Sequence, residues 1–194
     1  MSESTLKAGI IGCGNIARRH VAGYQENGID VTAIADITED ALEAMASDVP
    51  QAHCFRGHKD LIDSGTVDVV SICTPPVAQE VPIAYALTNG VHKKNKKPLS
   101  HSVASAKRIK DAVENADCVF MVAFRHRFLP AVRKMKEIID AGQIGQPVMF
   151  RNVFGGPNFG MEGKWFVQKE IAGGGCLLDT NSHSVHLFRF LNGE

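Results

Sequence analysis

The stretch "GIIGCGNIARRH" sets Gly12, Gly14 and Ala17 in the spacing G-x-G-x-x-A, directly after an apolar run and at the opening of a helical pattern. Glycines so placed let the backbone turn tightly and approach a pyrophosphate, while the first N–H groups of the helix, at Asn15 and Ile16, face its charge. Asp36 closes the next apolar run at about the 20-residue spacing where a carboxylate accepts hydrogen bonds from a ribose. Such a carboxylate repels a 2′-phosphate, so NAD is expected over NADP, although Arg18 and Arg19 lie near enough to serve a phosphate. The alternative is a plain tight turn, with Asp36 a surface residue that caps the following helix.

Two further groups of residues could do chemistry. Asp179 and His183 stand four apart in a segment patterned as an amphipathic helix over "GGGCLLDTNSHSVHLFRFLNGE", so both would project from one face. Histidine suits a base that works near neutral pH. A cap and a core histidine would read the same way, and His186 on that face opens a three-ligand metal set, although no metal is expected because no partner cluster accompanies it. Finally, "TNGVHKKNKKPLS" packs four lysines into positions 93–97.

The elements that must position these groups alternate. Short β-branched runs predict strands at Ala8–Ile11, Val31–Ala35, Ala52–Phe55, Val67–Cys73 and Cys118–Ala123, with helical patterns between them. This is the pattern of a doubly wound parallel α/β sheet covered on both faces. Helices are expected from about Asn15 to Asn27 with Gly28 as the stop, after Thr38, before Gly90 with Pro82 in the first turn, from Ser102 to Asn115, and up to Gly142. The lysine run falls where a strand is due. Pro147–Phe154 reads as one more strand, followed by a Gly-rich loop, "NVFGGPNFGMEGKW".

Acidic and basic side chains balance at 21 each over 194 residues, so no global field draws the chain to nucleic acid or membrane. The lysine run lacks interleaved aromatics, which argues against a nucleic-acid patch. The five cysteines are spaced without C-x-x-C pairs and sit mostly in apolar runs, the pattern of reduced, buried thiols in a cytoplasmic protein.

Six motifs in register, "GIIGCGNIARRH", "VDVVSICTPP", "KKPLS", "FRHRFLP", "AGQIGQP" and "GGGCLLDTNSH", make the chain resemble the glucose-fructose oxidoreductase and inositol dehydrogenase (Gfo/Idh/MocA) family over essentially its whole length. The resemblance implies a dinucleotide-binding Rossmann domain at 1–123 and the start of an α+β substrate and oligomerisation domain at 124–194. It also implies NAD(P)-linked hydride transfer to or from a sugar, polyol or related hydroxy compound, and a homo-oligomer once the second domain is complete. It carries Lys97, Asp179 and His183 onto the family's catalytic lysine, aspartate and histidine. Thr74, Pro75 and again Lys97 join Gly12, Gly14, Asn15, Ile16 and Asp36 as expected cofactor contacts. A non-catalytic nucleotide-binding fragment or decayed copy is the alternative.

Several positions depart from the family pattern. Lys96 replaces a glutamate, Lys93, Lys94 and Asn95 replace an apolar strand, and Gln79 and Pro76 replace a histidine and an asparagine. Asn181 and Ser182 displace a glycine, and His186 stands for an aspartate. Burying an unpaired ammonium costs several kcal/mol, so the lysine stems are expected to snorkel from a ragged strand, or the strand to be displaced. Family members continue past position 194 with further strands, so a truncated chain is expected, with Pro147–Phe154 short of partners.

Overall fold

The computed structural model describes residues 6–155, 160 and 162–193. The chain divides into two compact units, Met1–Val122 and Ala123–Glu194. In the first, strands β1 (Lys7–Ile11), β2 (Asp30–Ala35), β3 (His53–Phe55), β4 (Val69–Ile72), β5 (His92–Asn95) and β6 (Phe120–Val122) form one sheet in the order β3-β2-β1-β4-β5-β6. Every pairing is parallel. Helices α1 (Asn15–Glu26), α2 (Glu39–Ala46), α3 (His58–Asp63), α4 (Glu80–Thr88) and α5 (Val103–Glu114) connect the strands. This is the expected Rossmann-type fold, and its strand order reverses between β1 and β4, the place where open α/β sheets generally bind ligands at the carboxyl ends of the strands.

Each layer follows from residue spacing. In α1, Ala17, His20, Val21 and Tyr24 fall on one face and are buried. Ala17, Val21 and Tyr24 pack with Ala8, Ile10, Ile34, Leu42 and Met45 on one side of the sheet. On the other side Val70, Ile72, Ile83, Ala86, Leu87 and Ile109 form a second core. Ser102 Oγ accepts from Ser105 N at 3.2 Å, and Gly28 and Gly90 follow α1 and α4 with φ of 68° and 70°, as expected, whereas Thr38 stands at the N-cap of α2 without a side-chain cap bond, its hydroxyl donating to Asp36. Helix α3 was not anticipated.

Strand β5 corrects the expectation of a ragged or displaced lysine strand. Lys93, Lys94 and Asn95 stand in register with Val70, Ser71 and Ile72 on one side and with Phe120, Met121 and Val122 on the other. The pleat sends the two lysines to opposite layers, as it must. Lys93 is 1% exposed, and its amine donates to the Ile83 carbonyl at 2.9 Å. Burial lowers its pKa to about 7, so the amine is only partly protonated at neutral pH. Lys94 lies 5.6 Å from the centre of the Tyr24 ring, a cation–π distance. Beneath it His20 Nδ1 and Tyr24 OH both hydrogen-bond Ser71 Oγ at 2.9 Å. Burial, then Lys94 and Lys96, lowers the His20 pKa to about 4, so this buried network is neutral.

The second unit holds α6 (Pro130–Asp140), α7 (Lys169–Ala172) and α8 (Ser182–Leu191). The expected strand at Pro147–Phe154 does not form: residues 147–155 take no regular structure. Among the described residues the unit contains no other strand, and a strand without a ladder partner leaves its backbone groups unpaired. Part of the Gly-rich loop, 156–159 and 161, lies outside the described residues. The cysteines are all free, but only Cys13 and Cys73 are buried; Cys54 and Cys176 are exposed, against the expectation of buried thiols. Among the described residues no helix is long and apolar enough to cross a membrane.

Candidate functional site

Gly12 turns the chain out of β1 with φ +92°, and its N–H donates to Ala35 O at 2.8 Å. A Cβ there would stand 2.9 Å from Thr74 N and 3.0 Å from the Cys73 carbonyl carbon, so any side chain meets backbone. Gly14 differs, because a Cβ on it meets nothing within 4 Å. It caps α1 without a side-chain hydrogen bond, and the first turn of α1 carries no acidic residue. The helix start at Asn15 and Ile16 therefore carries no carboxylate of its own and lies beside open space at Gly14, which fits a pyrophosphate on its N–H groups.

Asp36 is held toward this turn. Its Oδ2 accepts from Cys13 N at 2.8 Å, and its Oδ1 accepts from Thr38 N and Thr38 Oγ1 at 2.9 and 2.6 Å. Burial pushes its carboxyl up, but these hydrogen bonds outweigh burial and hold it below the ordinary carboxylate range. An ionised carboxylate with lone pairs to spare can accept from a ribose diol. Its bond to Thr38 N also ties it to the start of α2, so the capping reading and the binding reading coexist. Arg18 is taken up elsewhere, with Nη1 on Asp48 Oδ2 at 2.5 Å and Nη2 on Ala44 O at 3.0 Å. That leaves it poorly placed to serve a 2′-phosphate.

The ends of β4 and β5 bring the next group together. Thr74 Oγ1 donates to Ala78 O at 3.2 Å and closes the loop that contains Pro75 and the buried Pro76. Gln79 Nε2 donates to Thr74 O at 3.0 Å. Asn95 Nδ2 donates to Gln79 Oε1 at 3.0 Å and to Lys96 O at 2.8 Å. Lys97 follows, half-buried, joined to Pro98 by a cis peptide bond. Two of the departures from the family pattern, Gln79 and Asn95, are thus partners of one another.

In the second unit Asp179 precedes the helix expected to include it. It lies in the turns of 173–181, its N–H donating to Gly175 O at 3.2 Å, and α8 begins only at Ser182. The triple glycine at 173–175 and the chain-reversing turns after it delay regular helix, and Ser182 Oγ donates to Asp179 O at 2.7 Å. His183, in the first turn of α8, is buried within rings: His126 at 4.2 Å between centroids, Phe124 edge-on at 5.8 Å, and Phe154 at 6.4 Å. His186 stacks flat on Phe124 at 4.2 Å, and burial, then Arg127 and Arg189, lowers its pKa. Sequence reasoning assigned no role to His126, although "FRHRFLP" was visible as a motif. Among the described residues no three His, Cys, Asp or Glu side chains are grouped to hold a metal ion.

Comparison with known proteins bears on both units. The family model described as "Oxidoreductase family, NAD-binding Rossmann fold" matches residues 6–124, and the GFO/IDH/MocA C-terminal domain matches 132–194. The chain is 30% identical to levoglucosan dehydrogenase of Pseudarthrobacter phenanthrenivorans, over 97% of this chain and 52% of that protein. It is 28% identical to myo-inositol 2-dehydrogenase of Thermotoga maritima, over 97% and 55%. A solved structure of levoglucosan dehydrogenase in complex with NADH and levoglucosan superposes with a TM-score of 0.87 at 28% identity, over 97% of this chain and 54% of that one. The chain spans about half the length of the curated relatives it matches. With the Rossmann sheet, the Gly12 turn and the matched second segment together, the chain belongs to the GFO/IDH/MocA family of NAD-binding oxidoreductases.

Proposed function

We propose that this chain is the nucleotide-binding and proximal substrate-binding part of an NAD-dependent dehydrogenase acting on a sugar, polyol or related hydroxy compound. The observation that carries this reading is the bare α1 start beside Gly14, with the ionised Asp36 held next to it by Cys13 N. In this reading residues 1–123 bind NAD in preference to NADP, through Gly12, Gly14, Asn15, Ile16, Asp36, Thr74, Pro75 and Lys97. Residues 124–194 begin the domain that selects the substrate and mediates self-association. The free cysteines support a cytoplasmic setting.

When bound, the nicotinamide supplies the hydride exchange with the substrate carbon. The protein's share is alignment and proton handling. Oxidation of an alcohol releases a proton from oxygen as hydride leaves carbon, and His183 receives that proton. Asp179 hydrogen-bonds a substrate hydroxyl or steadies the imidazolium that forms. Lys97 holds the reacting oxygen and favours its developing negative charge. The rings of Phe124, His126 and Phe154 around His183 keep water from it.

Calorimetric titration with NAD and NADP, followed by a polyol and sugar panel read by NADH absorbance, tests the reading. NAD is expected to bind more tightly than NADP. Because space beside Gly14 is open, G14V is expected to weaken NAD at least about tenfold while leaving the melting temperature within a few degrees. A folded protein that binds neither dinucleotide overturns the proposal. Binding without turnover on any substrate would instead mark a non-catalytic nucleotide-binding module.

A further inference from the structure

Gln79 and Asn95 are both fully buried, at 0% exposure. Their amides form a directed chain. Thr74 O can only accept, so Gln79 must present Nε2 to it and Oε1 to Asn95. Lys96 O can only accept as well, so Asn95 must present Nδ2 to both Gln79 and Lys96. Turning either amide over would oppose two acceptors, so the orientation follows from the backbone carbonyls at each end. The chain has a loose end at Asn95 Oδ1, a buried acceptor without a partner among the described residues.

This relay joins two loops that the proposed function uses separately. At one end Thr74 abuts Gly12 so closely that a Cβ on Gly12 would stand 2.9 Å from Thr74 N. At the other end the held Lys96 carbonyl belongs to the peptide that leads into Lys97. We infer that the Gln79–Asn95 amide pair is a positioning unit that sets the Lys97 loop in register with the dinucleotide-binding turn. The inference rests on the proposed cofactor site for its purpose, but not for its geometry. A filler role would need no such direction: replacing both partners of a buried hydrogen bond by apolar groups of like shape is close to neutral for stability. Keeping two buried amides and an unpaired acceptor has a use when loop placement, and not folding, depends on them.

The test compares Q79L, N95L and Q79L/N95L with the unaltered chain. Two quantities are read: NAD affinity by calorimetry, and amide hydrogen exchange at 74–79 and 96–99 in NAD-free protein. The double variant removes the donors of the Thr74 and Lys96 carbonyls, so it is expected to melt below wild type while remaining folded, and to bind NAD about tenfold more weakly, the loss expected for one or two hydrogen bonds. The single variants are expected to be non-additive with it. Q79L is expected to speed exchange not only in its own loop but also at 96–99. A folded double variant with unchanged NAD affinity, and exchange changes confined to the substituted side, overturns the inference. If the unaltered chain binds no NAD, the cofactor reading fails while the exchange comparison still decides the relay. Should the leucine variants not fold, Q79E gives the same readout, since it keeps an acceptor for Asn95 and opposes a carboxylate to Thr74 O.

Discussion

Helices α1 and α6 carry the same kind of apolar stripe, yet α1 buries Ala17, His20, Val21 and Tyr24, whereas α6 buries none of Ala131, Val132, Met135, Ile138 or Ile139. In the first unit a six-stranded sheet offers both its faces as cover. In the second, no strand is present among the described residues, and Val148, Met149 and Leu177 lie exposed. An amphipathic pattern marks which face needs cover; it does not supply the cover. The same contrast holds for polar groups. The first unit buries a lysine, a histidine and two amides because sheet and helix carbonyls or side chains can answer them, whereas the second stacks its histidines on rings.

The comparison breaks if the two units respond alike to truncation of apolar side chains. I10A, at a position with 0% exposure, is expected to cost about 2–5 kcal/mol in urea unfolding, and V148A, at a fully exposed position, less than about 0.5 kcal/mol. Equal losses would show that the segment around Val148 is packed and not exposed. Lys93 sharpens the polar half of the contrast. Its folded pKa of about 7 lies below the ordinary lysine value, so the unfolded chain binds more protons between about pH 7 and 10.4. The stability cost of burying the cation is therefore complete below pH 7 and falls away as pH rises through that window. K93M is expected to be more stable than wild type by on the order of 3 kcal/mol at pH 7, with the gap narrowing by pH 10; a constant gap would refute the buried amine.

His20 works in an acidic window. With a folded pKa of about 4 against 6.5 for the free imidazole, the unfolded state takes up the proton first. Stability is full above about pH 6.5 and is lost as pH falls toward 4, by on the order of 2 kcal/mol. H20Q should flatten that part of the pH profile, as followed by thermal melts. The smallest effect belongs to the surface: Arg108 Nε and Nη2 hold Glu80 at 2.5 and 2.8 Å, but the pair is solvent-screened, so R108A should leave the urea midpoint almost unchanged.

Strands β1, β2 and β4 were legible because apolar β-branched runs need a sheet covered on both faces. Strand β5 was legible only by its place in the alternation, since its composition argued against it. What rescues Lys93 is the carbonyl of Ile83, ten residues away on α4, and no local pattern reports a partner supplied by packing. Helix α3 is six residues long, too short for periodicity to register. The strand expected at 147–154 had the right residues but no ladder to join. The Gly12–Asp36 juxtaposition followed from spacing because both ends lie on adjacent strands of one βαβ unit. The helix expected to include Asp179 starts later, at Ser182, because the glycines at 173–175 disfavour regular helix before it. Gln79 and Asn95 each looked like a lone departure; only the fold reveals that they answer each other.

The buried amine of β5 also alters how the protein's charge should be counted. The formal balance of 21 basic and 21 acidic side chains treats Lys93 as a full cation. With a pKa of about 7 it carries only about half a charge at neutral pH in the folded chain, and a whole one after unfolding. The native molecule is therefore slightly more anionic than its composition states, and isoelectric focusing should place it below the position of the same chain in urea.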